Sequence, residues 1–258
     1  LVDMPFFHTC MYGVEEVAQA NDYDIIVVTT NGNDTKPLER LIQNRKVDGM
    51  ILTRTYENDK YVKFLKQKQI PFVAVGKFPD DDVVQVDHDN VGACKELVTV
   101  LFAKGIQNIA YLGSNMDQMV NRCRYQGYEE AYRKGKRKLN QDLVYTDLSS
   151  KAMVEKAVEE LKKSGVECIL CQDDYICDEA VRKLSHMGVR IPDQMKVASC
   201  HYSRILENYP VTVTSLKFNI TELGRRSCQV LLDMIHGKTV PDKTLLDYEI
   251  ILKESTKG

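Results

Sequence analysis

The chain has 258 residues, 43% hydrophobic and 28% charged, which is an ordinary balance for a globular protein of two compact lobes or one large one. Its formal net charge of −2 excludes a bulk basic field for nucleic acid within this sequence. No apolar run approaches the roughly 20 residues that span a bilayer, and the opening LVDMPFFHTC lacks the basic start and apolar run of a secretory signal.

The first hundred residues alternate between helical and strand-like patterns. A helix is expected after Pro5, because proline suits a first helical turn and an apolar stripe of Val14, Val17 and Ala18 follows. Further helices are predicted around 38–42, at 61–68 and at 91–102, and strands at 24–29, 47–53, 72–75 and 83–86. The residues between them, including 79–82 (PDDD), are expected to be loops.

A second series of the same kind begins at Asn108. Strands are predicted at 109–113, 143–145, 166–171, 195–200 and 213–216, and a final strand-like run at 244–252. Helices are predicted at 125–133, 152–163 and 222–235, with another through Ala180, Val181, Leu184 and Met187. Sustained alternation of strand and helix predicts an α/β protein with parallel sheets, and two series predict two similar lobes.

The stretch 165–202 contains the most informative polar residues. Two strands, 166–171 and 195–200, flank one helix, and Asp173 and Asp174 stand where the first strand ends and can cap that helix. Parallel strands joined by a helix bring their carboxyl ends together, and ligands bind at those ends in open α/β sheets. We therefore expect 171–174 and 200–202 to face one crevice.

Carboxylates and arginines that follow predicted strands form the first candidate site. They are Asp87, Arg122 or Arg124, Asp173 and Asp174. A carboxylate accepts hydrogen bonds from two adjacent hydroxyls and an arginine donates a planar fork, so the set suits a neutral polyhydroxylated ligand. The alternative is that these side chains are helix caps and surface ion pairs.

Eight cysteines are scattered through the predicted elements, which favours reduced thiols over the disulfide framework of a small secreted domain. Cys168 and Cys171 in CILC have zinc-ligand spacing, but residues three apart on a strand point to opposite faces and cannot chelate together. Cys171, Cys200 and His201 can still meet at adjacent strand ends, as a metal or redox site or simply as buried side chains. His201 follows the apolar run and is expected to reach the crevice.

The sequence contains no GxSxG, GxGxxG or GxxxxGK[ST] motif, so nothing indicates a nucleophile elbow or a phosphate-binding loop. An enzyme is therefore not expected, and neither a cofactor nor a metal is predicted. The basic run RKGKRK at 133–138 is short and has no interleaved aromatics, which favours a solvated turn over a nucleic-acid patch.

Eight ordered segments resemble the effector-binding core of the lactose-repressor/galactose-repressor (LacI/GalR) family of bacterial transcription regulators. The segments are MPFF at 4–7, KVDGMIL at 46–52, IPFVAVG at 70–76, VDHDNVGA at 86–93, RYQGYEEA at 124–131, CQDD at 171–174, GVRIPDQMKVAS at 188–199 and VTSLKFNITELGRRS at 213–227. The resemblance covers nearly the whole chain, and GVRIPDQMKVAS is its most specific part.

This resemblance implies two Rossmann-like lobes of the periplasmic-binding-protein type I architecture, joined by three crossovers. The implied N-terminal lobe comprises 1–104 and 218–240, and the implied C-terminal lobe comprises 105–217 and 241–258. It further implies a sugar-like effector between the lobes, a cytoplasmic homodimer, and operator DNA bound through a helix-turn-helix headpiece that is absent from this chain. The first strand of the core is barely represented, by Leu1 and Val2.

The resemblance also assigns polar ligand-binding residues. Asp87 matches the carboxylate that follows the crevice strand of the first lobe, and Arg124, three residues before Gly127, matches the ligand arginine. Asp173 stands where the family usually has an asparagine. His201 stands where many members have an aspartate, so this chain exchanges a carboxylate for an imidazole.

The apolar ligand contacts implied by the resemblance are less regular. Ile220 occupies a position that often holds an aromatic residue in sugar binders, and Phe218 can supply the apolar surface instead. Phe6 and Phe7 can wall the side of the first lobe. These departures leave the identity of the effector open.

Two other classes of protein stay under consideration. A transport-associated solute-binding protein shares the two-lobe fold, but the thiol content and GVRIPDQMKVAS argue against it. An enzyme on the same fold would be distinguished by turnover of its ligand, because fold alone does not establish function.

Overall fold

The computed structural model describes residues 5–30, 34–80 and 82–257. The predicted strand residues Leu1 and Val2 lie outside the described residues. The helices are α1 (Pro5–Gln19), α2 (Lys36–Gln43), α3 (Lys60–Lys68), α4 (Asn90–Ala103), α5 (Met119–Lys134), α6 (Lys151–Leu161), α7 (Asp174–His186) and α8 (Ile220–Ile235). The strands are β1 (Met50–Leu52), β2 (Phe72–Val75), β3 (Gln85–His88), β4 (Ile109–Leu112), β5 (Val144–Tyr145), β6 (Cys168–Cys171), β7 (Lys196–Ser199), β8 (Thr214–Phe218), β9 (Lys243–Leu246) and β10 (Tyr248–Ile251).

Packing divides the chain into two compact units. The first unit contains the described residues up to His88 together with Asn219–Leu246, and the second contains Asp89–Phe218 together with the described residues from Asp247 onward. The chain therefore passes from one unit to the other three times. The predicted α/β class with two sheets of mostly parallel strands is confirmed.

The first unit is built on a parallel sheet with the strand order β1-β2-β3-β9. Every residue of β2 and β3 is buried, as expected for strands covered on both faces. Helices α1 and α8 pack with their backbones in direct contact. A Cβ on Gly13 would lie 2.0 Å from the Thr221 carbonyl oxygen, and one on Gly224 would lie 2.0 Å from that of Cys10, so glycine is required at both positions.

The second unit is built on a sheet with the strand order β10-β8-β7-β6-β4-β5, in which only the β10–β8 pair is antiparallel among the described strands. Alternation along β4 sends its side chains to two different layers. Ala110 and Leu112 join the core formed with α6 and α7. Tyr111 instead packs against Tyr128 of α5, with ring centroids 5.2 Å apart.

Three predictions about the elements were wrong or incomplete. The predicted strand at 24–29 pairs with no described strand, and Ile25, Ile26 and Val27 are exposed. The run 244–252 contains two strands in different units, because β9 pairs with β3 and β10 pairs with β8. The predicted helix 125–133 begins six residues earlier, at Met119, which places both Arg122 and Arg124 on α5.

Helix α4 also differs from its predicted placement. The boundaries inferred from the resemblance put 91–102 in the first lobe, whereas α4 packs against α5 and groups with the second unit. All eight cysteines are free and buried. Within the described ranges, the longest helices are too short or too polar to cross a membrane.

Candidate functional site

The carboxyl ends of β6 and β7 bring together the two polar segments predicted to meet. Cys171 pairs with Ser199 in the parallel register, and the Cys200 backbone N–H donates to the Cys171 carbonyl at 2.8 Å. The strands therefore deliver residues 172–174 and 200–203 to one edge of the second unit. The expected juxtaposition of these segments is present.

Asp173 caps α7 at this edge. Its Oδ1 accepts a hydrogen bond from the Ile176 backbone N–H at 2.8 Å, which satisfies one of the free donors of the first turn. Burial raises the pKa of Asp173, although the Ile176 N–H and the positive charges of Arg124 and His201 act in the opposite direction. Asp173 is thus both a helix cap and a carboxyl close to two cations.

Asp174 pairs with His201, whose Nδ1 lies 3.4 Å from the Asp174 Oδ1. Burial acts to raise the pKa of Asp174, but the hydrogen bond and charge of His201 outweigh it and lower that pKa to about 2. The His201 ring is stacked against Phe218, with centroids 6.3 Å apart and an interplanar angle of 18°. His201 therefore links a carboxylate to an aromatic surface.

Arg124 reaches the same edge from α5 and is 8% exposed. Its Nη1 donates to the Gln172 carbonyl oxygen at 3.0 Å, and its Nε donates to Asn90 Oδ1 at 3.3 Å. Arg122 instead donates from Nε to the Met116 carbonyl at 2.6 Å. Of the two arginines left open by the sequence, Arg124 is the one that contacts the segment following β6.

A close crossing of α4 and α5 sets the position of Arg124. A Cβ on Gly127 would lie 2.4 Å from the Val91 carbonyl oxygen and 2.8 Å from the Cys94 Cβ. Glycine at 127 thus lets the two helix backbones approach closely. This approach brings Asn90, the first residue of α4, within reach of the Arg124 guanidinium one turn before Gly127.

A neutral amide network beside Arg124 was missed by the sequence reasoning. Gln172 is fully buried, its Nε2 donates to Ser114 Oγ at 3.1 Å, and its Oε1 accepts from the Ser114 backbone N–H at 3.0 Å. Asn121 Nδ2 donates to the Asn115 carbonyl at 2.7 Å. Position in the sequence was the one sign of this network. Ser114 and Asn115 directly follow β4 in LGSN, and Gln172 directly follows β6 in CQDD.

Two serine hydroxyls are also buried in the second unit. They belong to Ser203, in the segment after β7, and Ser215, in β8, and the Ser215 Oγ has no hydrogen-bond partner among the described residues. Ser203 is one of the causes that lower the pKa of Asp174, after the larger effects of burial and His201. The edge therefore offers hydroxyl groups as well as charges and amides.

The remaining predicted residues belong to the first unit. Asp87 is the third residue of β3, is 9% exposed, and its Oδ1 accepts from the His88 N–H at 2.8 Å. Phe6 and Phe7 lie in the first turn of α1, with an edge-to-face ring contact at 5.4 Å. The Arg54 guanidinium stacks over Phe7 at 5.2 Å. Ile220, the first residue of α8, is half-buried.

The thiols near the edge are enclosed rather than accessible. Cys200 Sγ lies 3.5 Å from Cys94 Sγ, and both residues are fully buried. Burial raises the pKa of the Cys94 and Cys171 thiols, which disfavours the thiolate that metals and oxidants require. Within the described part of the chain, no group of three or more His, Cys, Asp or Glu residues is arranged to hold a metal ion.

Two α/β units joined by three chain passages, with polar groups gathered at the carboxyl ends of parallel strands, define a periplasmic-binding-protein-like fold. The family described as periplasmic binding proteins and sugar binding domain of the LacI family matches residues 2–254. The chain belongs to this family.

Curated relatives across nearly the full chain are transcription regulators. The regulator MalR of Streptococcus pneumoniae is 26% identical, with 96% of this chain and 76% of the relative covered. The regulator CelR of Thermobifida fusca is 25% identical, with 97% and 76% covered. The solved structure of a transcriptional regulator CelR–cellobiose complex superposes with a TM-score of 0.90 at 24% identity, covering 99% of this chain and 80% of that one.

These comparisons confirm the family indicated by the eight sequence segments. They support an effector-binding core of a LacI-family transcription regulator over a transport-associated solute-binding protein, because the relatives that match the chain are regulators.

Proposed function

We propose that this chain binds a sugar or sugar-like effector and transmits its presence to operator DNA through a DNA-binding headpiece. The observation that carries the proposal is a cluster of charged and titratable side chains at one edge of the second unit. Asp173, Asp174 and His201 follow β6 and β7 directly, and Arg124 reaches the same segment from α5. We further propose that the protein acts in the cytoplasm as a homodimer. Sedimentation equilibrium measures the oligomeric state directly.

The side chains at this edge suit adjacent hydroxyl groups. A carboxylate accepts from two neighbouring hydroxyls, and an arginine donates a planar pair of N–H groups. We propose that the exposed part of Phe218, which is 8% accessible and stacked against His201, contacts the sugar ring. We propose that Asp87, Phe6, Phe7 and Ile220 of the first unit contribute further contacts, and the cellobiose bound by the related regulator favours a carbohydrate.

An effector of this kind regulates by preferring one arrangement of the protein over another. A ligand shifts such an equilibrium only by its difference in affinity for the two arrangements, and the coupling to a DNA site is reciprocal. No chemical step is required. We accordingly expect the effector to be recovered unchanged after incubation, and a turnover assay on the bound ligand tests the rival enzyme interpretation.

Replacement of Arg124 tests the site. A panel of mono- and disaccharides is screened by thermal unfolding, since a ligand at 100 times its Kd stabilises the native state by about 2.7 kcal/mol. Arg124→Ala should remove the stabilisation by an active sugar while leaving a folded protein. Arg122→Ala is the matched control, because Arg122 lies on the same helix and donates to Met116 instead. Equal stabilisation of the wild type and Arg124→Ala would show that the site is misassigned.

A further inference from the structure

A second polar pocket lies at the amino end of β4, whereas the candidate effector site lies beyond the carboxyl end of that strand. Its volume is about 280 Å³, near the lower end of the roughly 300–1,000 Å³ typical of small-molecule sites. Its lining includes two cations, three amides and a tyrosine ring, from Arg137, Lys138, Gln107, Asn108, Asn140 and Tyr132. None of the residues assigned to the effector site lines this pocket.

Arg137 is fixed in place by its surroundings. Helix α5 ends at Lys134, and Lys136 adopts a left-handed conformation with φ of 53°. The turn lets the Arg137 backbone N–H donate to the Tyr132 carbonyl at 2.9 Å. The guanidinium carbon then lies 4.4 Å from the Phe102 ring centroid. A cation already held in position loses less freedom when a ligand binds.

The aromatic support of Arg137 comes from another helix. Phe102 of α4 packs edge-to-face on Tyr132 at 5.0 Å. Arg137 Nη1 also donates to Gln107 Oε1, and a guanidinium carries five N–H donors in all. RKGKRK is therefore more than a solvated turn, because one of its cations is stacked, hydrogen-bonded and part of a pocket wall.

The charged side chains that line the pocket are both cationic. Residues 133–138 contain five cationic side chains, of which Arg137 and Lys138 line the pocket. The backbone N–H groups of Gln107 and Asn108 both donate to Glu167 Oε2 at 2.7 Å, so they are already engaged. An anion in the pocket would therefore be held by side chains. The planar fork of arginine suits a phosphate group, and lysine adds a point charge.

We propose that this pocket binds a small phosphorylated metabolite, with Arg137 and Lys138 on its phosphate and the amides of Asn108 and Asn140 on the rest of the molecule. The site is separate from the proposed effector site, and its occupancy does not depend on that proposal. The bound species is the phosphate dianion, because two cations face the pocket.

Isothermal titration calorimetry with inorganic phosphate and with glycerol 3-phosphate, at constant ionic strength, tests this proposal. We expect saturable one-site binding that Arg137→Gln weakens by at least about tenfold, as loss of a charge-assisted contact implies. Binding of glycerol 3-phosphate should tighten from pH 5 to pH 7.5, as its phosphate monoester loses its second proton with a pKa of about 6. Arg133→Gln is the control, because Arg133 belongs to the same basic run but lies in the last turn of α5, with its side chain 80% exposed.

Lys138→Gln gives an independent test, since Lys138 is exposed and its replacement leaves the packing of Phe102 and Arg137 intact. It should also weaken binding of glycerol 3-phosphate. Non-saturable heats, or equal losses in Arg133→Gln and Arg137→Gln, would overturn the site. Tighter binding of citrate than of either phosphate compound would overturn the assignment to phosphate. Each outcome is independent of whether a sugar stabilises the protein.

Discussion

Asp173 and Asp174 are adjacent in the chain, yet their pKa values shift in opposite directions. Burial raises the pKa of Asp173, while His201 overcomes the effect of burial on Asp174 and lowers its pKa to about 2. A lowered carboxyl pKa contributes stability above the unfolded-state pKa near 3.8 and loses it as the pH falls toward 2.

Asp174→Asn should therefore destabilise the protein at pH 7 by about 2 kcal/mol, because one pKa unit corresponds to about 1.4 kcal/mol. The difference from the wild type should shrink as the pH falls from 4 toward 2. Urea unfolding at pH 7, 5, 4 and 3 measures both effects. Asp173→Asn is the control, since asparagine also caps helices. The pKa of Asp173 is raised, so its ionisation lowers the stability of the folded state near neutral pH, and its removal should not destabilise the protein as the removal of Asp174 does. A difference that stays constant with pH would contradict the pairing with His201.

Single residues differ in how far the sequence identified them. Asp173, Asp174 and His201 were identifiable because they are charged or titratable and directly follow apolar strands. Gln172 was not, because a neutral amide has no distinctive pattern and its importance comes from Ser114, 58 residues away. The residue pattern left Arg122 and Arg124 both open, and only the family resemblance favoured Arg124, because the course of α5 decides which of them reaches Gln172.

At the scale of elements, the crossing of α4 and α5 positions the candidate site. Gly127→Ala places a methyl group where the Val91 carbonyl oxygen would be 2.4 Å away, so the helices must separate. We expect a loss of about 1–3 kcal/mol in unfolding free energy, as for overpacked cores. The hydrogen bond from Arg124 to Asn90 should weaken as well, and with it the affinity for the effector.

Gly135→Ala provides a matched control for that substitution. Its φ of −73° is helical, and a new Cβ would find its nearest neighbour at 3.3 Å. Both variants are compared by urea unfolding and by sugar-induced thermal stabilisation. If Gly127→Ala is as stable as Gly135→Ala and binds effector normally, the close helix approach does not position Arg124.

Most elements were predictable because their signals are local, and the failures involve distant partners. The strand–helix–strand stretch through β6, α7 and β7 follows from apolar periodicity and the capping Asp173. Residues 24–29 have the same apolar, β-branched character, but a strand also needs a neighbour to pair with, and no described strand supplies one. The placement of α4 likewise depends on α5, about 30 residues further on.

At the scale of the whole molecule, the two predicted ligand carboxylates provide a test of whether residues of both units bind the effector. Asp87 ends up in the first unit and Asp173 in the second, each in or just after a parallel strand. If the effector engages both carboxylates, each contributes a charge-assisted hydrogen bond. Each of Asp87→Asn and Asp173→Asn should then weaken binding by about ten- to a hundredfold, because such bonds are worth about 1.5–3 kcal/mol.

The double variant distinguishes shared binding from binding by one unit. Calorimetric titration of the active sugar into both single variants and Asp87→Asn/Asp173→Asn gives three losses in binding free energy. Independent contacts to one ligand predict that the double loss equals the sum of the single losses. If Asp87→Asn binds like the wild type while Asp173→Asn does not, the second unit alone holds the effector. In that case Asp87 is not part of the site, and the effector can favour one arrangement of the protein only through the contacts it makes with the second unit.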